Sequence, residues 1–342
     1  MSFFDVIVIG SGPAGCSAAL TCHHAGLNVL VVTLEPDQLH ATPSTPVPLE
    51  SIHPGVSSLL AKIEASEAAH AATAALYSGI YTGSSYTPLG EDSSGIWQGM
   101  HIDREIFDHQ LLQSIRNAGV EVRYNEKVVS CLQENDKVIG IRTGSMEYYA
   151  NYVIDASGKN GLMGKKLNFK QQFFSPPLFC WTGVSEYTGA SLYDQQAAHF
   201  ISGTDGWSWL APQPPNFCSW TRLSIKGKKS VSPPDELKKG KVIGEIHFAN
   251  MRWRLFRPVC SEGILLCGDA AGVLDPAAGQ GILNALWSGI FAANAAVKCL
   301  QEPDYAAFHL ANYDTWFVQQ FEAKVDQLKA YYKENGITVF NK

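Results

Sequence analysis

The hydrophobic pattern opens on Phe3–Ile9, an apolar, largely β-branched run of the kind that forms a strand buried on both faces. It stops at Gly10-Ser-Gly-Pro-Ala-Gly15. A small-residue, Ala-rich stretch with helical character then runs to His24 and ends at Ala25-Gly26, a good helix stop. Val29–Thr33 repeats the buried-strand pattern, so the first segment predicts a β-α-β unit. Prolines at 36, 43, 46, 48 and 54 break every period between Glu35 and Gly55, which predicts a long loop. Ser57–Ala75 then reads as an Ala-rich amphipathic helix, and residues 77–100 as short strands with turns.

Phe107, Leu111, Leu112 and Ile115 share one helical face between Asp103 and Ala118. Four strands are predicted next: Val120–Tyr124, Lys127–Glu134, Lys137–Thr143 and Tyr148–Asp155. From about Phe169 to Arg257 the chain turns aromatic and Pro-rich with β-like alternation, which predicts a mostly antiparallel sheet. Gly263–Cys267 is a further buried strand and Gly279–Leu300 an Ala-rich helix. Tyr305–Glu334 is helical, with Trp316, Phe317, Phe321, Val325 and Leu328 on its packed side.

The 342 residues suggest about two domains at roughly 150 residues each. The composition shift over about 169–257 marks a separate lobe. The net charge of −6 and the lack of a basic run argue against a nucleic-acid partner. The eight cysteines are scattered, with no C-x-x-C pair, which suits reduced thiols in a cytoplasmic protein. No basic flank precedes Met1–Gly10, so no signal peptide is expected. No membrane span is expected either, because Asp269 and Asp275 interrupt the longest apolar stretch. The ten histidines do not cluster at ligand spacing, which predicts no metal.

Three glycine-bearing motifs carry chemistry. Gly10-x-Gly12-x-x-Gly15 follows a strand and opens a helix: Gly10 allows the tight turn, Gly12 lets a pyrophosphate approach, and Gly15 lets helix and strand pack closely. Pro13 and Ala14 begin that helix, whose N–H groups and dipole suit phosphates. The acid that usually ends the second strand is displaced, since Thr33 holds that place and Glu35 follows two residues later. Thr33 can give the ribose one neutral hydrogen bond, Glu35 is slightly favoured over it, and a solvated loop acid is the alternative for Glu35. Asp155-Ala-Ser-Gly158 closes a strand on a small-residue turn. Gly268-Asp269 ends another, placing Asp269 to accept from a polyol, and Gly279-Gln-Gly281 brings bare N–H groups to a helix start suited to a flavin pyrimidine edge.

This set resembles the FAD-dependent monooxygenases of the p-hydroxybenzoate hydroxylase fold, and within them the tryptophan halogenase and geranylgeranyl reductase branch. The resemblance implies an α/β fold: a Rossmann-like FAD-binding domain, a mostly antiparallel substrate sheet and a C-terminal helix. It covers residues 1–165 and 256–300, with the aromatic lobe matching in patches. It also implies a discontinuous FAD-binding domain of 1–75, 100–165 and 256–300, a substrate domain of 76–99 and 166–255, and a C-terminal helical segment over 301–342. Gly99-Met-His-Ile-Asp-Arg104 resembles the segment whose arginine touches FAD, which makes Arg104 a cofactor residue; pairing with Asp108 is the structural alternative. Gly206-Trp207-Ser-Trp209-Leu-Ala-Pro212 is similar to the G-W-x-W-x-I-P halogenase signature. Trp207 and Trp209 are therefore either substrate-pocket residues or core, and Trp181 and Trp220 join them as candidates for the wall. Glu50-Ser-Ile-His53-Pro-Gly55 resembles the loop over the flavin, with His53 and Glu50 as candidate catalytic groups. The stretch Leu76–Gly83, where a halogenase carries its lysine, has none.

The implied activity is monooxygenation of an electron-rich aromatic substrate through a C4a-hydroperoxyflavin, with O2 as co-substrate and NAD(P)H or an external reductase as electron donor. The small LodB/GoxB-like flavoproteins are the most specific resemblance. They imply a Trp side chain in a precursor oxidase as substrate, during cysteine tryptophylquinone biosynthesis. A geranylgeranyl reductase-like double-bond reductase and a non-catalytic flavin-binding module are the alternatives.

Overall fold

A computed structural model describes residues 3–36, 46–93, 95–187, 196–225, 232–338 and 340. Its largest sheet is built on the opening β-α-β unit. The strand Phe3–Ile9 (β1) leads through helix α1 (Pro13–His24) to the strand Val29–Val32 (β2), which lies parallel to β1. The 147–155 strand pairs parallel with β1 on its other side, and the 121–123 strand extends the sheet beyond β2. Antiparallel strands 137–143 and 128–134 complete the sheet, and 264–266 joins the last residues of the 147–155 strand in parallel. Every residue of β2 is buried, as the unbroken apolar run requires of a strand covered on both faces.

The register decides where the motifs meet. Ile9 lies beside Val32 on one side and Asp155 on the other, and Asp155 lies beside Leu266. The glycine-rich turn, Thr33, the Asp155–Gly158 turn and Gly268-Asp269 therefore leave the carboxyl edge of one parallel sheet side by side. In open α/β sheets that edge is where ligands bind.

A second, seven-stranded sheet has the order 242–250, 179–186, 217–224, 206–213, 197–203, 79–82, 85–88. It is antiparallel except where 197–203 meets 79–82. Two long helices complete the chain: α6 (Gly281–Gln301) packs against α1, and α7 (Ala306–Glu334) packs against α6. The shorter helices are α2 (Val56–Lys62), α3 (Glu67–Ala72), α4 (Arg104–Asn117) and α5 (Leu162–Lys166). On α4 the four apolar residues of the predicted face are all buried, and Asp103 caps its start through bonds from the Glu105 and Ile106 N–H groups.

Three expectations need correction. The 35–55 stretch is not loop throughout, because Leu49–Ile52 (β3) is a strand paired with 99–103; part of the remainder lies outside the described residues. The helix expected over 57–75 is α2 and α3 separated by a turn at Glu64, whose φ is +58°, and Thr73–Tyr77 is a strand. The apolar interval after Asp275 is also longer than the interrupting acids implied. Helix α6 is long and apolar enough to cross a membrane, yet 61% of its most apolar window is buried inside the protein, the pattern of a core helix. All eight cysteines are free.

Candidate active site

The first turn is built from glycine geometry. Gly10 has φ +96°, and a Cβ there would meet the Ala156 carbonyl oxygen at 2.6 Å. A Cβ on Gly15 would lie 2.0 Å from the Gly10 oxygen, so the turn closes only with glycine at both ends. Gly12 differs, because nothing lies within 4 Å of where its Cβ would be. It begins α1 with no side-chain cap, with Pro13 in the first turn and no acid there. The α1 N–H groups thus face open space, an anion-binding arrangement.

That space is a cavity of about 1250 Å³, above the roughly 300–1,000 Å³ of ordinary small-molecule pockets. Gly12, Pro13, Ala14, Gly158, Gly268 and Asp269 line one end, together with Arg104, Glu50 and Lys159. Gly158 has φ +74° and open space where a Cβ would stand. Asp155 instead serves its own turn, accepting from the Ser157 and Met163 N–H groups at 2.9 and 2.7 Å. Asp269 accepts no hydrogen bond among the described residues; burial raises its carboxyl pKa, and Lys159, Arg104 and Arg254 oppose that rise. A carboxylate held among cations with its lone pairs free is ready to accept from a hydroxyl.

Glu50 and Arg104 meet: Arg104 Nη1 donates to Glu50 Oε2 at 2.8 Å, while Nε donates to both Asp108 oxygens at 2.9 Å. The Asp108 pairing read from the sequence is present, and Arg104 also lines the cavity. A Cβ on Gly281 would stand 3.9 Å from Glu50 Oε1, and one on Gly279 4.0 Å from the Ser51 oxygen, so β3 lies along the Gly279–Gly281 segment. Gly281 opens α6 with neither side-chain cap nor acid in the first turn. At the end of β2, the Thr33 hydroxyl is 2.7 Å from Ser11 Oγ and accepts from the Glu35 N–H. Glu35 is exposed, and it reinforces, with Glu50, the burial that raises Asp108, so it stands on the Arg104 side of the turn.

Other expected residues lie elsewhere. His53 does not line the cavity: its Nδ1 accepts from Gly55 N at 3.0 Å, and partial burial lowers its pKa. Trp207 and Trp209 are on the sheet face that the cavity-lining Thr221 and Thr182 share, but Trp207 is buried, Trp209 is half-buried, and neither lines the cavity. The Trp207 indole donates to Tyr332 Oη at 2.7 Å, and Tyr332 donates to Asp275 Oδ2 at 2.8 Å. Trp253 Nε1 donates to the same oxygen at 2.5 Å, and Ala277 N to Oδ1 at 3.0 Å. These two tryptophans are therefore not lining residues, and Trp207 helps hold the Asp275 turn that leads into Gly279–Gly281. Trp181 and Trp220 face away, in a separate apolar cluster with Leu210 and Leu237. The actual aromatic wall is Trp287 on α6 and Trp316, Phe317, Phe321 and Tyr331 on α7. The periodicity of α7 marked much of this stripe as packed; no local signal distinguished packing against protein from facing a cavity.

Trp209 belongs to a partly buried polar chain. Trp209 Nε1 donates to Ser51 Oγ at 2.8 Å, which directs the Ser51 hydroxyl hydrogen to His101 Nδ1, also at 2.8 Å. Tyr77 stacks on the His101 ring, with centroids 4.5 Å apart. His101 is fully buried, its Nε2 has no partner among the described residues, and burial lowers its pKa to about 4. A folded value of about 4 against roughly 6.5 unfolded gives stability that is complete above pH 6.5 and lost as pH falls toward 4. The loss amounts to about 3 kcal/mol. Urea unfolding at pH 7 and pH 4.5 should show a steeper acid loss in the native chain than in His101→Phe, which keeps the ring and cannot titrate; equal losses contradict this.

The fold and the sequence comparison define the class. Residues 5–165 match the family model described as FAD dependent oxidoreductase, and the architecture is an FAD-binding Rossmann-like α/β fold. The chain is an FAD-dependent oxidoreductase, and its cofactor is FAD. Among curated relatives it is similar to the digeranylgeranylglycerophospholipid reductase of Methanosphaerula palustris, at 27% identity over 95% of this chain and 84% of that protein. Two solved structures share the fold. The flavin-dependent brominase Bmp2 has a TM-score of 0.81 and 21% identity over 97% of this chain and 87% of its own. The peptidyl tryptophan dihydroxylase QhpG, essential for tryptophylquinone cofactor biogenesis, has 0.73 and 20% over 99% and 78%.

Proposed function

We propose that the protein is a flavin monooxygenase that hydroxylates an electron-rich aromatic group. The observation that carries the reading is the continuous cavity, which runs from the uncapped α1 start and Asp269 to the aromatic wall of α6 and α7. The donor set suits FAD. In this reading Gly12, Pro13 and Ala14 receive the pyrophosphate at the α1 start, with Gly10 and Gly15 shaping the turn. Glu35 and Asp269 accept from sugar and polyol hydroxyls, and Gly158 and Gly268 leave room beside them. The Gly279–Gly281 segment offers N–H groups to the pyrimidine edge, and Arg104, steadied by Glu50 and Asp108, keeps the cofactor in place. FAD, once reduced, supplies the electrons for oxygen chemistry. The chain's own part is to orient the substrate ring against the aromatic wall and to exclude water.

The finer substrate, a Trp side chain of a precursor oxidase in tryptophylquinone formation, draws support from the shared fold with the peptidyl tryptophan dihydroxylase. The lack of lysine in Leu76–Gly83 argues against halogenation. A second reading, reduction of isoprenoid double bonds, is favoured by the similarity to the archaeal reductases over nearly the whole chain. One assay separates them. With chemically reduced enzyme and an indole-bearing substrate, monooxygenation predicts substrate-stimulated oxygen uptake on an electrode and a product heavier by one oxygen atom. Saturation of a prenyl substrate under argon, with no oxygen dependence, overturns the reading in favour of the reductase.

A further inference from the structure

The α6–α7 wall of the cavity carries an unusual charge. On α7 the residues facing the cavity recur at helical spacing, and Gln320, Lys324 and Gln327 are its polar members. Among all lining residues of α6 and α7, Lys324 alone carries a charge. Its Nζ donates to Asn284 Oδ1 on α6, across the cavity wall, and it has no carboxylate partner among the described residues. No acid of α7 lines the cavity; Glu322 pairs with Arg257 and Asp314 accepts from the Val259 N–H, both away from it. A lysine held half-buried without a counter-charge raises the free energy of the empty site, and burial lowers its pKa accordingly. The side chains around it add amide donors and apolar surface from Phe321 and Leu328.

We propose that Lys324, with Asn284, Gln320 and Gln327, is an oxyanion subsite that anchors a carboxylate or phosphate group of the substrate while its apolar body lies along the aromatic wall. A charge-assisted bond to a lysine with no carboxylate partner among the described residues gives direction as well as affinity, because the other lysine and arginine lining groups, Arg104 and Lys159, lie with the glycine-rich turn that the proposed function gives to FAD. The inference deepens the proposed function and rests on the cavity being the substrate cavity. It does not depend on which reaction follows.

The test is binding to the FAD-loaded protein, followed by the fluorescence of the wall tryptophans. Indole-3-acetate is compared with the neutral indole-3-ethanol, and dodecyl phosphate with dodecanol. The first pair tests an aromatic carboxylate and the second a lipid-like phosphate. In at least one pair the anion should bind roughly tenfold or more tightly than the alcohol, a preference lost in Lys324→Gln and largely kept in Lys324→Arg. In the native protein the preference should also fade as pH rises toward the lysine's ordinary range, beginning below it. Equal binding of anion and alcohol in both pairs, or a preference that survives Lys324→Gln, overturns the subsite. Should Lys324→Gln fail to hold FAD, the pH series decides: a preference unchanged up to pH 10.5 overturns it. Tight anion binding without oxygen-dependent turnover would refute the monooxygenase reading and leave the subsite standing, so the two failures are distinguishable.

Discussion

A Gly12→Val variant is expected to fold normally and purify without colour. Gly12 has φ −71° and ψ −179°, ordinary extended backbone, and no heavy atom lies within 4 Å of its would-be Cβ. The substitution therefore introduces neither strain nor internal clash, and thermal unfolding of the apoprotein should be close to that of the native apoprotein. The added methyls project into the space above the α1 N–H groups, where the proposed cofactor site would receive the pyrophosphate. FAD affinity should fall about a hundredfold or more, equivalent to about 3 kcal/mol, when measured by equilibrium dialysis. Gly15→Ala is the contrasting case. Its Cβ would lie 2.0 Å from the Gly10 carbonyl oxygen, so it should damage folding itself. A yellow Gly12→Val protein with native affinity would remove the glycine-rich turn from the cofactor site.

The second large effect is expected at Asp275. Its carboxylate is 5% exposed and accepts from Trp253, Tyr332 and the Ala277 N–H, so Asp275→Ala leaves three buried donors unpaired. Chemical denaturation should show a loss of about 3–5 kcal/mol, from about 1–3 kcal/mol for each buried donor left unpaired. Because Asp275 holds the 276–278 turn ahead of Gly279–Gly281, the surviving fold should also bind FAD more weakly. Trp207→Phe removes only one donor to Tyr332 and should cost about 1 kcal/mol. If Trp207→Phe instead altered substrate affinity with stability unchanged, Trp207 would act in the pocket and the positioning role would be wrong.

Much of the cofactor end was legible because its determinants are local. The close contacts at Gly10 and Gly15 can be met only by glycine, and the positive φ at Gly158 favours it, so those residues advertise a turn wherever it folds. The capped helix after Asp103 and the buried strands on either side of α1 were readable for the same reason. The 49–52 strand was not, since Leu-Glu-Ser-Ile carries little strand signal and is defined by pairing with 99–103 across a long intervening segment. The break between α2 and α3 was hidden within an Ala-rich stretch, where Ile63 and Ala65 bury themselves on either side of a left-handed Glu64. The two tryptophans of the Gly206–Pro212 strand were legible as sharing one face, but only the packed molecule reveals Tyr332 and Ser51 as their hydrogen-bond partners.

By itself the amino-acid order determined the dinucleotide-type turn, the succession of strands and helices around it, and the three motifs able to face a flavin. Those properties depend on backbone freedom and on hydrophobic period, which a residue and its near neighbours decide. Tertiary structure alone decided that Ile9, Val32, Asp155 and Leu266 end together, that Lys324 meets Asn284 without an acid, and that the α7 stripe faces a cavity. Such facts concern which distant surfaces come into contact and which remain apart, and no local pattern encodes the space between two elements.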